Sequence, residues 1–131
     1  MAVLIAVFVA GGLGALTRYA VDAAVVSRWQ RRTTGTWVDF PAGTFLINVS
    51  GAGLLGVLTG YATAHGGPVP DHLLTIAGTG YLGAYTTFST EEWQTLGLLR
   101  SGRGVVAVSV VGSLAASLLL AGLGLWLGAR L

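Results

Sequence analysis

The sequence predicts an all-α membrane protein with four transmembrane helices, and three observations carry that prediction. Of 131 residues, 53% are hydrophobic and only 9% are charged, against roughly 25% charged in globular chains. Mean hydropathy is +0.76. The apolar residues fall in long runs, each near the ~20 residues that cross ~30 Å of hydrocarbon. Seven basic and five acidic side chains cannot cover a water-facing surface of this size, so a soluble enzyme is excluded. The chain has no cysteine, which removes disulfides, thiolate metal sites and a Cys nucleophile together. Its net charge of +2 comes from arginines without a single lysine. In a membrane chain that balance bears on topology, and no basic patch remains to bind nucleic acid.

The first run extends from Ala2 to about Val21, and no charged residue precedes it, whereas a secretory signal has a basic n-region. Ser27 to Pro41 reads as a polar interfacial loop with Arg28, Trp29, Arg31, Arg32 and Gly35. The second run covers Gly43 to about Ala62, and a loop with His65, Gly66, Gly67, Pro68, Pro70, Asp71 and His72 follows. The third run covers Leu73 to about Leu99, a turn spans Arg100 to Arg103, and the fourth run covers Gly104 to about Gly128. No loop is long enough for a second domain, so residues 1–131 read as one four-helix unit. Arg28, Arg31, Arg32, Arg100 and Arg103 share one face of such a bundle, and Arg130 stands on the other. This bias places the first and third loops in the cytoplasm and both termini outside.

Glycine makes up 21 of the 131 residues, more than double the average of ~7%. Gly56 with Gly60 and Gly124 with Gly128 form GxxxG pairs, which let helices approach where no hydrophobic effect drives them together, and oligomerisation is expected from such a chain.

The third run is unlike the others. Gly78, Gly80 and Gly83 precede Tyr85, Thr86, Thr87, Phe88, Ser89 and Thr90, and then Glu91 and Glu92. Glycines and hydroxyl-bearing residues weaken the helix locally, and Ser89 with Glu92 has the capping-box form that starts a new one. The expectation is a third helix broken near mid-membrane, where unpaired carbonyls can hold a cation. A simple kink, with hydroxyls bonded back to the helix, is the alternative. Gly78 to Gly83 also spells GxGxxG, but position 103 is Arg and no strand or βαβ context exists, so no dinucleotide site follows.

In the fourth run Ser109, Ser113 and Ser117 line one helical face. They form either a ladder of donors or a small-residue packing face with hydroxyls bonded to the preceding turn. Asn48 places an amide near the middle of the second run, where it must pair across helices or line a path. Asn48-Val49-Ser50 is formally a glycosylation sequon, but it lies in hydrocarbon. Arg18 is expected to snorkel to the interface, with Asp22 one turn on as its nearest partner. The spacing of His65 and His72 fits no helical metal pair, so both are assigned to solvent. No Ser-His-Asp arrangement can be assembled.

Gly11-Gly12-Leu13-Gly14-Ala15-Leu16-Thr17-Arg18-Tyr19, Gly43-Thr44-Phe45-Leu46-Ile47-Asn48 and Gly83-Ala84-Tyr85-Thr86-Thr87-Phe88-Ser89-Thr90 form a recognisable pattern. Together they resemble the CrcB/Fluc fluoride channel family over all four runs. The resemblance implies a multi-pass cell-membrane protein in which two four-helix subunits pack as an antiparallel dimer. Two narrow pores then let fluoride leave the cytoplasm and relieve its toxicity. It implies a structural Na+, not transported, on the carbonyls of Gly83 and Thr86. It maps pore-lining roles to Asn48, Phe88, Ser109, Ser113 and Ser117. Arg18, Thr87, Ser89, Thr90 and Glu91 stay structural or unassigned. The partners implied are fluoride, the lipid bilayer and a second subunit, a paralogue being one candidate. Desolvating a small anion is costly, and hydroxyls, an amide and electropositive ring edges replace its water without trapping it.

Two positions depart from the family pattern: Glu91 stands where a second phenylalanine is usual, and Gln94 where an acid is. A carboxylate beside an anion path repels the anion unless it is neutralised, or unless it only favours the first turn of the new helix. The arginine bias fixes one orientation, which points to a heterodimer with an oppositely oriented relative. The alternatives are a non-conducting partner subunit of such a heterodimer and a small proton-coupled drug exporter. An exporter needs an acid within an early span, and the first two runs hold none before Asp22.

Overall fold

A computed structural model describes residues 1–65, 70–99 and 103–131. Among them the regular structure is entirely helical. Helix α1 (Ala2–Arg32) does not stop near Val21; it continues to Arg32 and carries Arg31 and Arg32 in its last turn. Cations there complement the C-terminal end of the helix dipole. Much of the expected interfacial loop is therefore helix, and what remains is a short 3-10 turn over Gly35–Asp39. That turn opens on Gly35 at φ +69°, a conformation glycine adopts without steric cost. Trp29 Nε1 donates to the Trp37 carbonyl at 2.8 Å, and the Phe40 ring packs on Trp29 and Phe45, each at 5.6 Å. Indole and phenyl groups thus tie the end of α1 to the start of α2 (Ala42–Ala64).

Helix α2 is the centre of the molecule. Its Ile47 and Thr44 are 1% and 2% exposed, and Ile47 joins Leu82 and Tyr85 in a core flanked by Val21, Leu58 and Tyr81. On its opposite side α2 lies along α5 (Arg103–Gly128). There the two GxxxG pairs interlock. A Cβ at Gly56 would strike the Ala121 carbonyl and one at Gly60 the Leu125 carbonyl; Gly124 and Gly128 meet the Gly53 and Val57 carbonyls in return. Helix backbones touch directly at these four positions, so both pairs serve packing within the chain. Any self-association must use other surfaces.

The third run forms two helices. Helix α3 covers residues 71–85, with i→i+5 turns over Thr75–Leu82 between α-helical ends. Its glycines let it press on α1: Gly80 would place a Cβ 3.0 Å from the Val7 carbonyl, and Gly14 of α1 faces the Tyr81 carbonyl. Tyr81 Oη donates to Thr17 Oγ1 at 3.0 Å across the same interface. The chain leaves the helix at Thr86, whose φ of −77° and ψ of 159° are extended, and α4 (Ser89–Leu98) follows.

Among the described residues three helices, α1, α2 and α5, are long and apolar enough to cross a membrane; α3 and α4 are each shorter than the ~20 residues required. The outer surface carries many large apolar side chains. Leu4, Phe8, Leu16, Leu118 and Leu119 are all exposed, Phe8 by 83%. Such a surface has hydrocarbon as its solvent, and the protein is a multi-pass membrane protein. His65 and His72 are exposed as expected, with the His65 ring stacked on Tyr61 at 4.6 Å. Gly66, Gly67 and Pro68 of the second loop, and Arg100 of the third, lie outside the described residues.

Candidate functional site

The extended residues 86–88 face α2, and Asn48 is what meets them. Thr87 N–H, which in an unbroken helix would close on the Gly83 carbonyl, donates instead to Asn48 Oδ1 at 2.9 Å. Asn48 Nδ2 returns a bond to the Thr87 carbonyl at 2.8 Å. One amide therefore satisfies both backbone groups of one residue, and this fixes which end of the Asn48 side chain is oxygen. The second Nδ2 proton goes to Glu91 Oε2, also at 2.8 Å. Asn48 thus has the interhelical pairing role that its type in mid-span suggested.

The expected capping box does not form. Helical dihedrals begin at Phe88 (φ −92°, ψ −45°), so Ser89 already lies inside the turn and has no side-chain cap to offer. Thr87 takes that place: its Oγ1 accepts from Thr90 N–H at 3.4 Å and its hydroxyl donates to Thr90 Oγ1 at 3.0 Å. Phe88 flanks the helix and offers no side-chain cap, so the Thr87 and Thr90 hydroxyls, starting one residue further out, close the first turn in its stead. As a consequence Thr90 N–H is turned away from the Thr86 carbonyl, as Thr87 N–H is from that of Gly83. The carbonyls of Gly83 and Thr86 have both lost their helical donors.

Beside the break lies a cavity of about 620 Å³, lined from α2, α3, α4 and α5. It gathers Asn48, Gly83, Thr86, Thr87, Phe88, Glu91, Ser113 and Ser117, which come from segments far apart in the sequence. Phe88 is 75% exposed and stands at its edge. Apart from Glu92 the other lining groups are small or apolar, Gly51, Ala52, Leu55 and Leu114 among them, and among the described residues no cationic side chain contributes. Chemically the space offers hydroxyls, an amide and a phenyl ring in an apolar wall, together with the carboxylates of Glu91 and Glu92.

Ser109 is placed differently from Ser113 and Ser117. It is 1% exposed, does not line the cavity, and its Oγ has no hydrogen-bond partner among the described residues. Arg18 and Asp22 form no ion pair among the described residues; Asp22 turns to α2, where its carboxylate packs against Gly43 in the first turn. An acid there complements the helix N-terminus, although its Oδ1 accepts no hydrogen bond among the described residues. Gln94 lies away from the main cavity and lines a second one of about 510 Å³ with Trp29 and Gln30. Sequence reasoning missed the Ser50–Tyr85 hydroxyl pair at 3.1 Å, which ties α2 to the end of α3. Tyr85 directly before the hydroxyl-rich stretch was its only signal.

The family model described as CrcB-like protein, Camphor Resistance (CrcB), matches residues 5–128. Relatives cover nearly the full chain. One from Leifsonia xyli subsp. xyli, named fluoride-specific ion channel FluC 1, is 42% identical over 127 residues, covering 96% of this chain and 86% of the relative. A second from Cutibacterium acnes, named fluoride-specific ion channel FluC 2, is 40% identical over 125 residues and covers 95% of each. A third from Streptomyces avermitilis, named fluoride-specific ion channel FluC 1, is 41% identical over 120 residues and covers 90% of each. Matched over residues 5–128 by the family model and at such identities by these proteins, the chain belongs to the CrcB-like family.

Proposed function

We propose that the protein is a subunit of a fluoride-selective channel that lets fluoride leave the cytoplasm. The observation that carries this reading is the cavity at the helix break, where Asn48, Phe88, Ser113 and Ser117 converge. A small anion gives up its water only where other donors replace it, at a cost otherwise of many kcal/mol. Serine hydroxyls rotate to donate and are weak enough to release. The positive edge of Phe88 adds a shallow attraction, and a lining without arginine or lysine among the described residues avoids a trap. Ser109 extends the serine line of α5, and its unpaired buried hydroxyl is a donor in reserve. Passage requires no covalent chemistry, so the protein is a channel component and not an enzyme.

In this reading α3 and α4 together make the third of four spans, broken near mid-membrane at residues 86–88. Two subunits pack antiparallel, so that each supplies a broken span to the dimer centre. The Gly83 and Thr86 carbonyls, left without helical donors, hold Na+ there. Oxygen dipoles suit that hard cation, which stabilises the crossing and is not transported. The arginine bias favours one insertion direction, so the second subunit is a relative of opposite orientation. Cells lacking their own fluoride export supply the test. Expression of this chain with such a relative is expected to restore growth in fluoride medium and leave growth in chloride medium unchanged. No gain in fluoride tolerance from any such pairing contradicts the proposal.

A further inference from the structure

Asn48 has two amide protons, and both are occupied from within the subunit: one by the Thr87 carbonyl and one by Glu91 Oε2. The Thr87 bond is part of the fold, since it comes with the reciprocal Thr87 N–H bond to Oδ1. The Glu91 bond is not. It is made by a side chain that reaches into the cavity from the first turns of α4, whose backbone is fixed by Thr87 and Thr90. We propose that Glu91 is an intramolecular competitor of the anion, occupying the one amide proton of Asn48 that the fold leaves free. The inference rests on the fluoride reading and adds a residue that sets how readily fluoride passes.

A carboxylate accepts a hydrogen bond much as fluoride does, through concentrated negative charge, and charge-assisted bonds are roughly twice as strong as neutral ones. Among the described residues no cationic side chain lines the cavity to draw Glu91 away. Fluoride must displace the carboxylate and share an apolar-walled space with it. Glu92 lines the same cavity and adds to the repulsion. A neutral, shorter side chain at position 91 removes the competitor and leaves Asn48 bound to Thr87. Glutamine keeps an acceptor of similar reach without the charge.

Asn48 is the sole asparagine of the chain, so asparagine labelled with 15N gives one side-chain amide pair in the NMR spectrum of the full chain in micelles. In Glu91→Ala one proton of that pair is expected to move toward the position of an unbonded amide. Added sodium fluoride, compared with sodium chloride, is then expected to move it back. The same proteins, each reconstituted in liposomes with the related subunit of opposite orientation, are expected to release fluoride in the order Glu91→Ala, Glu91→Gln, wild type. The first exceeds the last on the order of tenfold or more, as loss of a charged hydrogen-bond competitor implies. An amide pair unmoved in both variants overturns the proposal, and so does a released amide with fluoride efflux equal to wild type. A released amide without fluoride efflux from any of the three proteins overturns the fluoride reading itself, because the bond is then demonstrated and passage is not. Glu91→Gln preserves volume and decides the matter should Glu91→Ala fail to fold.

Discussion

Replacing Asn48 by alanine removes three hydrogen bonds at once, those to Thr87 N–H, to the Thr87 carbonyl and to Glu91. Hydrogen bonds between membrane helices are worth ~0.6 kcal/mol on average and up to ~1.7 kcal/mol, so three give about 2 to 5 kcal/mol. The open cavity lets water reach Thr87, which sets the expected loss near the lower figure. Asn48→Asp is the sharper perturbation. It preserves shape and the bond from Thr87 N–H, yet it turns an oxygen toward the Thr87 carbonyl and Glu91 Oε2, both 2.8 Å from the present nitrogen. Acceptor against acceptor costs more than an unfilled space, so the aspartate variant is expected to be the less stable of the two. Reversible unfolding in mixed micelles with rising sodium dodecyl sulfate, followed by tryptophan fluorescence, measures both. Amide exchange at Thr87 reports the local effect and is expected to accelerate. An alanine variant within about 0.5 kcal/mol of wild type, with Thr87 still protected, removes Asn48 from its place at the break.

Further outcomes follow from packing. Gly60→Ala forces a Cβ onto the Leu125 carbonyl and is expected to destabilise by ~1–3 kcal/mol through overpacking. Gly122→Ala on α5 meets nothing within 4 Å and is expected to be neutral or to stabilise by up to about 1 kcal/mol through helix propensity; the same micelle unfolding assay ranks the pair. Ser109→Ala removes a buried hydroxyl that has no partner, so stability is expected to hold or rise while fluoride efflux falls, and unchanged efflux removes Ser109 from the path. Tyr81→Phe loses the bond to Thr17 and is expected to cost under ~1.7 kcal/mol in the same assay.

The long apolar runs made three membrane-crossing helices legible, α1, α2 and α5, because hydrophobic length is a property of composition. Their ends were less so. Nothing local stops α1 at Val21, and the polar residues after it are compatible with helix, so it continues to Arg32. The GxxxG pairs announced close backbone contact, but spacing alone does not say whether the contact lies within a chain or between chains. Only the fold pairs Gly56 and Gly60 of α2 with α5. The helix break was visible in its glycines and hydroxyls. The residue that caps it was not, since Ser89 with Glu92 and Thr87 with Thr90 are both plausible caps by type. The choice between them depends on where Asn48, far away in sequence, captures Thr87. Glu91 stood out as a departure, whereas its bond to Asn48 required the geometry.

Fluoride release from liposomes bears most directly on the central claim. Vesicles loaded with sodium fluoride and carrying this chain with a related subunit of opposite orientation would be read with a fluoride electrode, beside protein-free vesicles and vesicles loaded with chloride. Fluoride efflux well above the protein-free level, without matching chloride efflux, is the expected outcome. Equal release of both anions, or fluoride efflux no faster than from protein-free vesicles, contradicts a fluoride-selective path through the cavity at Asn48.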